Sequence, residues 1–301
     1  MSAIRVGAAL VHAILEQDSM AYPLEYFFEG WDAALIAGHR ALLVPDHIDP
    51  EARAALFSHH AWLVEIGPYK VLIDPCVGNG RDRAAIPGYH QLDTPWLDRL
   101  SATGVTPDDI DFVLCTHLHA DHCGWNTRAV DGRFVPTFPN ARYIFSRAER
   151  DFWARELTGD LPAEVAYNRG VYTDSVLPVI EAGLAWVVEG RETFADAFTL
   201  MPAPGHTIGQ IAVRLDAGGD GALFIGDVVH SPIQILDPDI NTAGNHDPVA
   251  AVASRRALLQ LAADRNLVVA PGHFRGAKAC RVQASGAGYA ITWCDGSTAS
   301  A

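Results

Sequence analysis

The feature that most constrains this chain is a dense run of ligand-type side chains set directly behind an apolar stretch. Asp111-Phe-Val-Leu-Cys115 reads as a buried strand, and Thr116-His-Leu-His-Ala-Asp-His122 follows it without a gap. A loop at the end of a strand can turn His117, His119, Asp121 and His122 toward one point, while the strand holds its base rigid. Neutral imidazole nitrogen and carboxylate oxygen are the donors that borderline cations such as zinc accept. The competing explanation is a surface His-rich turn that binds metal adventitiously.

Three distant residues weigh against that explanation. Met201-Pro-Ala-Pro-Gly-His206 places a histidine just past a strand, in a Pro/Gly turn where glycine lets the backbone approach a site closely. Leu223-Phe-Ile-Gly-Asp227 does the same with a carboxylate, and Leu267-Val-Val-Ala-Pro-Gly-His273 with a last histidine. One such residue would be an ordinary satisfied polar group in a loop. Three of them, each at a strand end, make a shared metal site the better expectation.

Composition narrows the partners. With 36 acidic against 22 basic residues the formal charge is −14, which argues against nucleic acid, and the acidic surplus is explained as a solvated surface. No apolar run approaches the roughly 18 residues a membrane helix needs, and Met1 to Leu15 lacks the pattern of a secretion signal. The five cysteines are odd in number and have no CxxC spacing, so a reducing cytoplasm is the expected location.

The chain reads as a single domain over 1–301. Within it, 18–50 is an aromatic- and proline-rich arm or cap (Tyr22, Tyr26, Phe27, Phe28, Trp31) that lines an apolar substrate pocket, makes a homodimer contact, or packs as core. A hairpin is expected from Ala61 to Asp74, helices at Trp96–Ser101, Arg147–Glu156, around Asp174–Glu181 and at Pro248–Ala263. Strands are expected at Arg142–Ser146, Ala185–Glu189, Phe198–Pro202, Ile211–Leu215, Ala222–Ile225 and Leu267–Ala270. The last residues, Gly296 to Ala301, read as a small-residue tail. Two sets of strands with helices between and after them suit an α+β architecture, an αββα sandwich of two mixed sheets flanked by helices, and their order alone also admits a simpler α/β sheet.

His117-x-His119-x-Asp121-His122, Gly205-His206, Gly226-Asp227 and Gly272-His273 together resemble the metallo-β-lactamase superfamily in order and in strand-end context. The resemblance covers about Ala61 to Phe274. It implies two divalent transition-metal ions, zinc foremost, with iron, manganese or cobalt as alternatives. One ion would be held by His117, His119 and His206, the other by Asp121, His122 and His273, with Asp227 bridging. Asp74, in Leu72-Ile-Asp-Pro, resembles a family aspartate that orients a ligand histidine; a turn-forming Asp-Pro is the alternative. Two close cations acidify a shared water and polarise the group attacked, so hydrolysis of a small molecule by a metal-bridging hydroxide is the expected reaction. Cys115 and Cys123, which flank the cluster, read as small packing residues.

Within the superfamily the chain is most similar to the branch of N-acyl-homoserine lactonases and methyl parathion hydrolase-like enzymes, which implies a lactone or ester substrate. One departure matters. The lactonases carry a leaving-group tyrosine three residues beyond the bridging aspartate, where this chain has His230. Asp121, Asp227 and His230 are therefore the candidate catalytic residues, His230 either as proton donor to the leaving group or as a histidine packed behind the metals. A phosphotriester or thioester hydrolase of the same fold, and a metal-binding sensor without turnover, are the alternatives.

Overall fold

The computed structural model describes residues 3–294, so the small-residue tail lies outside the described residues. The described residues divide into two compact units: Ala9–Glu16 with His59–Glu192, and residues 3–8 with Gln17–Ser58 and residues 193–294.

In the first unit, Tyr69–Ile73, Phe112–Leu114, Arg142–Ser146 and Ala185–Val188 lie side by side, every neighbouring pair parallel. Leu72, Ile73, Val113, Leu114, Ile144 and Phe145 are fully buried, as expected for parallel strands covered on both faces. Each such side chain stabilises the unit by about 1.5–3 kcal/mol. Residues 62–66 of the strand Ala54–Ile66 pair antiparallel with Tyr69–Ile73, closing the expected hairpin. Trp96–Ser101 is helical, and Arg147–Trp153 starts where Ser146 accepts a hydrogen bond from the Glu149 amide. Because the four strands run one way, their carboxyl ends share one edge, where Asp74 and the Thr116–His122 loop emerge.

The second unit holds a seven-stranded sheet in the order Thr193–Phe194, Phe198–Pro202, Ile211–Asp216, Gly221–Gly226, Val268–Pro271, Cys280–Ser285, Gly288–Trp293. Phe198–Pro202 is antiparallel to Ile211–Asp216, which is antiparallel to Gly221–Gly226, which is parallel to Val268–Pro271. Three strands therefore run in one direction, and their carboxyl ends lead into His206, Asp227 and His273. Helix Pro248–Arg265 starts on the Asp247 cap, ends at left-handed Asn266, and packs Leu258, Leu259 and Ala262 with Leu223, Val269 and Val282.

The sandwich class agrees with two mixed sheets and their helices. The hairpin of Thr127–Val130 with Arg133–Pro136 and the strands Cys280–Ser285 and Gly288–Trp293 are additional to the expected elements, and two further segments depart from expectation. Ala9–Pro23 is a strand of 15 residues, hidden in the sequence because its inward face, with His12 and Ile14, also carries the charged Glu16. Segment 18–50 has structure of its own, with short helices Leu24–Phe27, Ala33–Gly38 and Arg40–Leu43, while Phe28–Glu29 pairs with Asn241–Thr242. Phe28, 2% exposed, sits in a core with Leu24, Leu43, Ile48 and Phe57, so it packs rather than lining a pocket; Phe27 and Trp31 are partly buried against that core.

Candidate metal centre

In the first unit the cluster loop is held by buried side chains that satisfy its backbone. Glu149, fully buried, accepts from the Leu118 amide (3.1 Å) and Trp153 Nε1 (2.9 Å). Asn168 accepts from the Ala120 amide and donates to the Leu118 carbonyl, both at 2.9 Å. Gly124 allows the loop its exit, since a Cβ there would stand 1.7 Å from the Val77 carbonyl oxygen.

Asp74 sets the ring orientations. Its carboxylate accepts from the Thr116 amide (2.7 Å) and hydroxyl (2.8 Å), and Oδ2 lies 3.0 Å from His122 Nδ1. A hydroxyl that donates to Asp74 must accept from its other neighbour, His117 Nδ1 at 3.1 Å, so the His117 proton is on Nδ1 and the Nε2 lone pair faces outward. That Nε2 lies 3.1 Å from His119 Nδ1, while His119 Nε2 meets the Tyr167 hydroxyl at 3.1 Å. Asp74 thus both turns the chain, at φ +52°, and orients two histidines.

The second unit repeats the logic around Asp227. His273 Nδ1 donates to the Ser58 carbonyl (3.0 Å), leaving Nε2 3.0 Å from Asp227 Oδ1. His206 Nδ1 lies 3.2 Å from Asn245 Oδ1, which also accepts from Thr242, leaving Nε2 3.4 Å from Asp227 Oδ2. A lone pair aimed at a carboxylate repels it unless the ring is protonated or a cation lies between, and the donor set of neutral imidazoles and carboxylates suits a divalent ion. Gly205, at φ +138°, brings the turn before His206 against helix Pro248–Arg265; a Cβ would meet the Ala251 amide nitrogen at 2.1 Å.

His230 differs from these rings. Its Nε2 is 3.1 Å from Asp227 Oδ2, but its Nδ1 is buried with no hydrogen-bond partner among the described residues. Burial pushes its pKa down, against the pull of Asp227. The Phe27 ring meets it edge-on at 5.3 Å. Burial also pushes the Cys115 and Cys123 thiols up, so both stay protonated and act as packing residues.

The profile of the metallo-beta-lactamase superfamily matches residues 54–273. The chain belongs to that superfamily. Among curated relatives, N-acyl homoserine lactonase AiiB of Agrobacterium fabrum (strain C58 / ATCC 33970) is 27% identical over 274 residues, 81% of this chain and 89% of the relative. N-acyl homoserine lactonase AiiA of Bacillus thuringiensis subsp. kurstaki is 24% identical over 185 residues, 61% of this chain and 64% of the relative. Two solved structures share the fold. One is AidC, a dizinc quorum-quenching lactonase bound to a homoserine product, with TM-score 0.75 at 19% identity and 96% of each chain covered. The other is the hydrolase AbOPH, with TM-score 0.78 at 22% identity, covering 97% of this chain and 96% of that one. As a superfamily member the chain is a metal-dependent hydrolase, the class to which these relatives belong. No helix among the described residues is long and apolar enough to cross a membrane.

The sequence did not single out Thr116, Ser58, Asn245 and Tyr167, which meet the histidine rings, or Tyr89 and His59, which lie 3.0 and 3.3 Å from Asp121 Oδ2. His59 alone had a usable signal: it opens a His-His pair inside the largely apolar strand Ala54–Ile66, and both rings are 2% exposed.

Proposed function

We propose that the chain hydrolyses a lactone or other small ester with two divalent ions. His117, His119 and His206 hold one ion, Asp121, His122 and His273 the other, and Asp227 is shared. The observation that carries this is the environment of Asp227, whose two oxygens are faced by the Nε2 atoms of different histidines, His273 at Oδ1 and His206 at Oδ2. A carboxylate addressed from both oxygens is the arrangement a bridging ligand requires. The lactonase relatives support the substrate class.

When bound, the ions supply an acidified water and polarise the carbonyl oxygen. The chain's own residues do the rest. Asp74, through Thr116, keeps the His117 lone pair outward, and Ser58 and Asn245 do the same for His273 and His206. Phe27 stands against His230 as an apolar wall that excludes water and takes the acyl portion of the substrate, with the buried Phe57 ring packed against it. His230, whose Nε2 is 3.1 Å from Asp227 Oδ2, takes up the proton that the attacking water loses and passes it to the leaving alkoxide.

His230, in place of the lactonase tyrosine, favours a second reading, a phosphotriester or thioester hydrolase whose leaving group needs less help. Purified protein with measured metal content, assayed on lactone, aryl ester, thioester and phosphotriester substrates, decides between them. Highest kcat/KM on lactones or alkyl esters supports the first reading. Highest kcat/KM on thioesters or phosphotriesters supports the second, and metal without turnover on any class would leave a binding protein.

A further inference from the structure

We propose that Tyr89 and His59 are a positioning pair for Asp121, holding its carboxylate in the orientation that serves the second ion; this rests on the two-ion reading. Neither residue belongs to the histidine cluster. Tyr89 closes the short turn Pro87–Tyr89, and His59 comes from the strand Ala54–Ile66.

The Tyr89 hydroxyl lies 3.0 Å from Asp121 Oδ2 and 2.8 Å from His59 Nε2, and His59 Nε2 is itself 3.3 Å from Asp121 Oδ2. A carboxylate only accepts, so the single phenolic proton goes to Asp121. The phenol oxygen then accepts from His59 Nε2–H. The two rings meet edge-on with centroids 5.1 Å apart, and they are 5% and 2% exposed, so neither can swing away without unpacking. Asp121 sits on the four-residue helix Ala120–Cys123, too short to fix a side chain by itself. The tether to a strand supplies that rigidity. With one oxygen engaged by the phenol, Asp121 acts as a single-oxygen donor, and removing the phenol frees its side-chain torsions.

The test is zinc titration of metal-stripped full-length protein against a chromophoric chelator. Wild type should take up zinc in two steps. Tyr89→Phe keeps the ring and loses only the hydroxyl; one of its two steps should weaken about 10- to 100-fold while the other stays within about threefold. His59→Leu should shift the same step in the same direction. Two unchanged steps in Tyr89→Phe, or equal weakening of both, overturn the proposal, and two unchanged steps in His59→Leu alone remove His59 from it. A wild-type chain that takes up fewer than two ions overturns the two-ion reading and this inference with it.

Discussion

The Asp74 carboxylate lies 3.0 Å from His122 Nδ1 and, through the Thr116 hydroxyl, also governs the tautomer of His117. One side chain therefore orients a histidine assigned to each ion. Asp74→Asn preserves shape but places an amide N–H where a donor already points. Both zinc-binding steps should weaken, by about 10- to 100-fold, in a chelator competition. Weakening of the His122 step alone would show that the Thr116 relay does not operate.

His230 separates this chain from the lactonases with a tyrosine at that position. If it protonates the leaving group, His230→Ala should slow substrates with alkoxide leaving groups by about 10²-fold or more, and nitrophenyl esters far less, at unchanged metal content. Equal losses on both classes would make it a positioning residue for Asp227, on which its Nε2 rests.

Phe27 and Phe28 are neighbours with opposite roles. Phe27 stands against His230, so Phe27→Ala should raise KM for long-acyl substrates about tenfold relative to short ones. Phe28 is core, so Phe28→Ala should cost about 3–5 kcal/mol in denaturant unfolding and leave the acyl preference unchanged. The reverse pattern would place the wall on the wrong ring.

Glu16 is buried against the Val77 and Gly78 amides and Trp125 Nε1. Desolvation outweighs these bonds and raises its pKa to about 6 from 4.5. A carboxyl raised on folding binds its proton more tightly in the native chain, so its contribution is full below about 4.5 and is lost as pH rises through about 6. The shift corresponds to roughly 2 kcal/mol. The stability advantage of wild type over Glu16→Gln, read by urea unfolding, should shrink by about that amount between pH 4.5 and 7. A difference independent of pH would mean that Glu16 titrates normally.

Much of this was legible in the chain because strand ends were marked by chemistry as well as by hydropathy. Apolar runs at 111–115, 222–225 and 267–270 each end in ligand-type residues, and the structure puts strands there with those residues at their carboxyl ends. The supporting shell was not legible. Ser58 acts through its backbone carbonyl, and Asn245 and Tyr167 lie 39 and 48 residues from the histidines they meet, so no local pattern connects them. Segment 18–50 escaped for a different reason: its helices of four and six residues are too short to show a period.

Asp227 and six partners are proposed to hold two ions that hydrolysis requires. Elemental analysis of catalytically active wild-type protein, paired with hydrolysis rates on the same samples, tests it most directly. Close to two transition-metal ions per chain are expected, with activity lost on chelation and restored by zinc or a related divalent ion. Full activity in protein free of transition metal would contradict it.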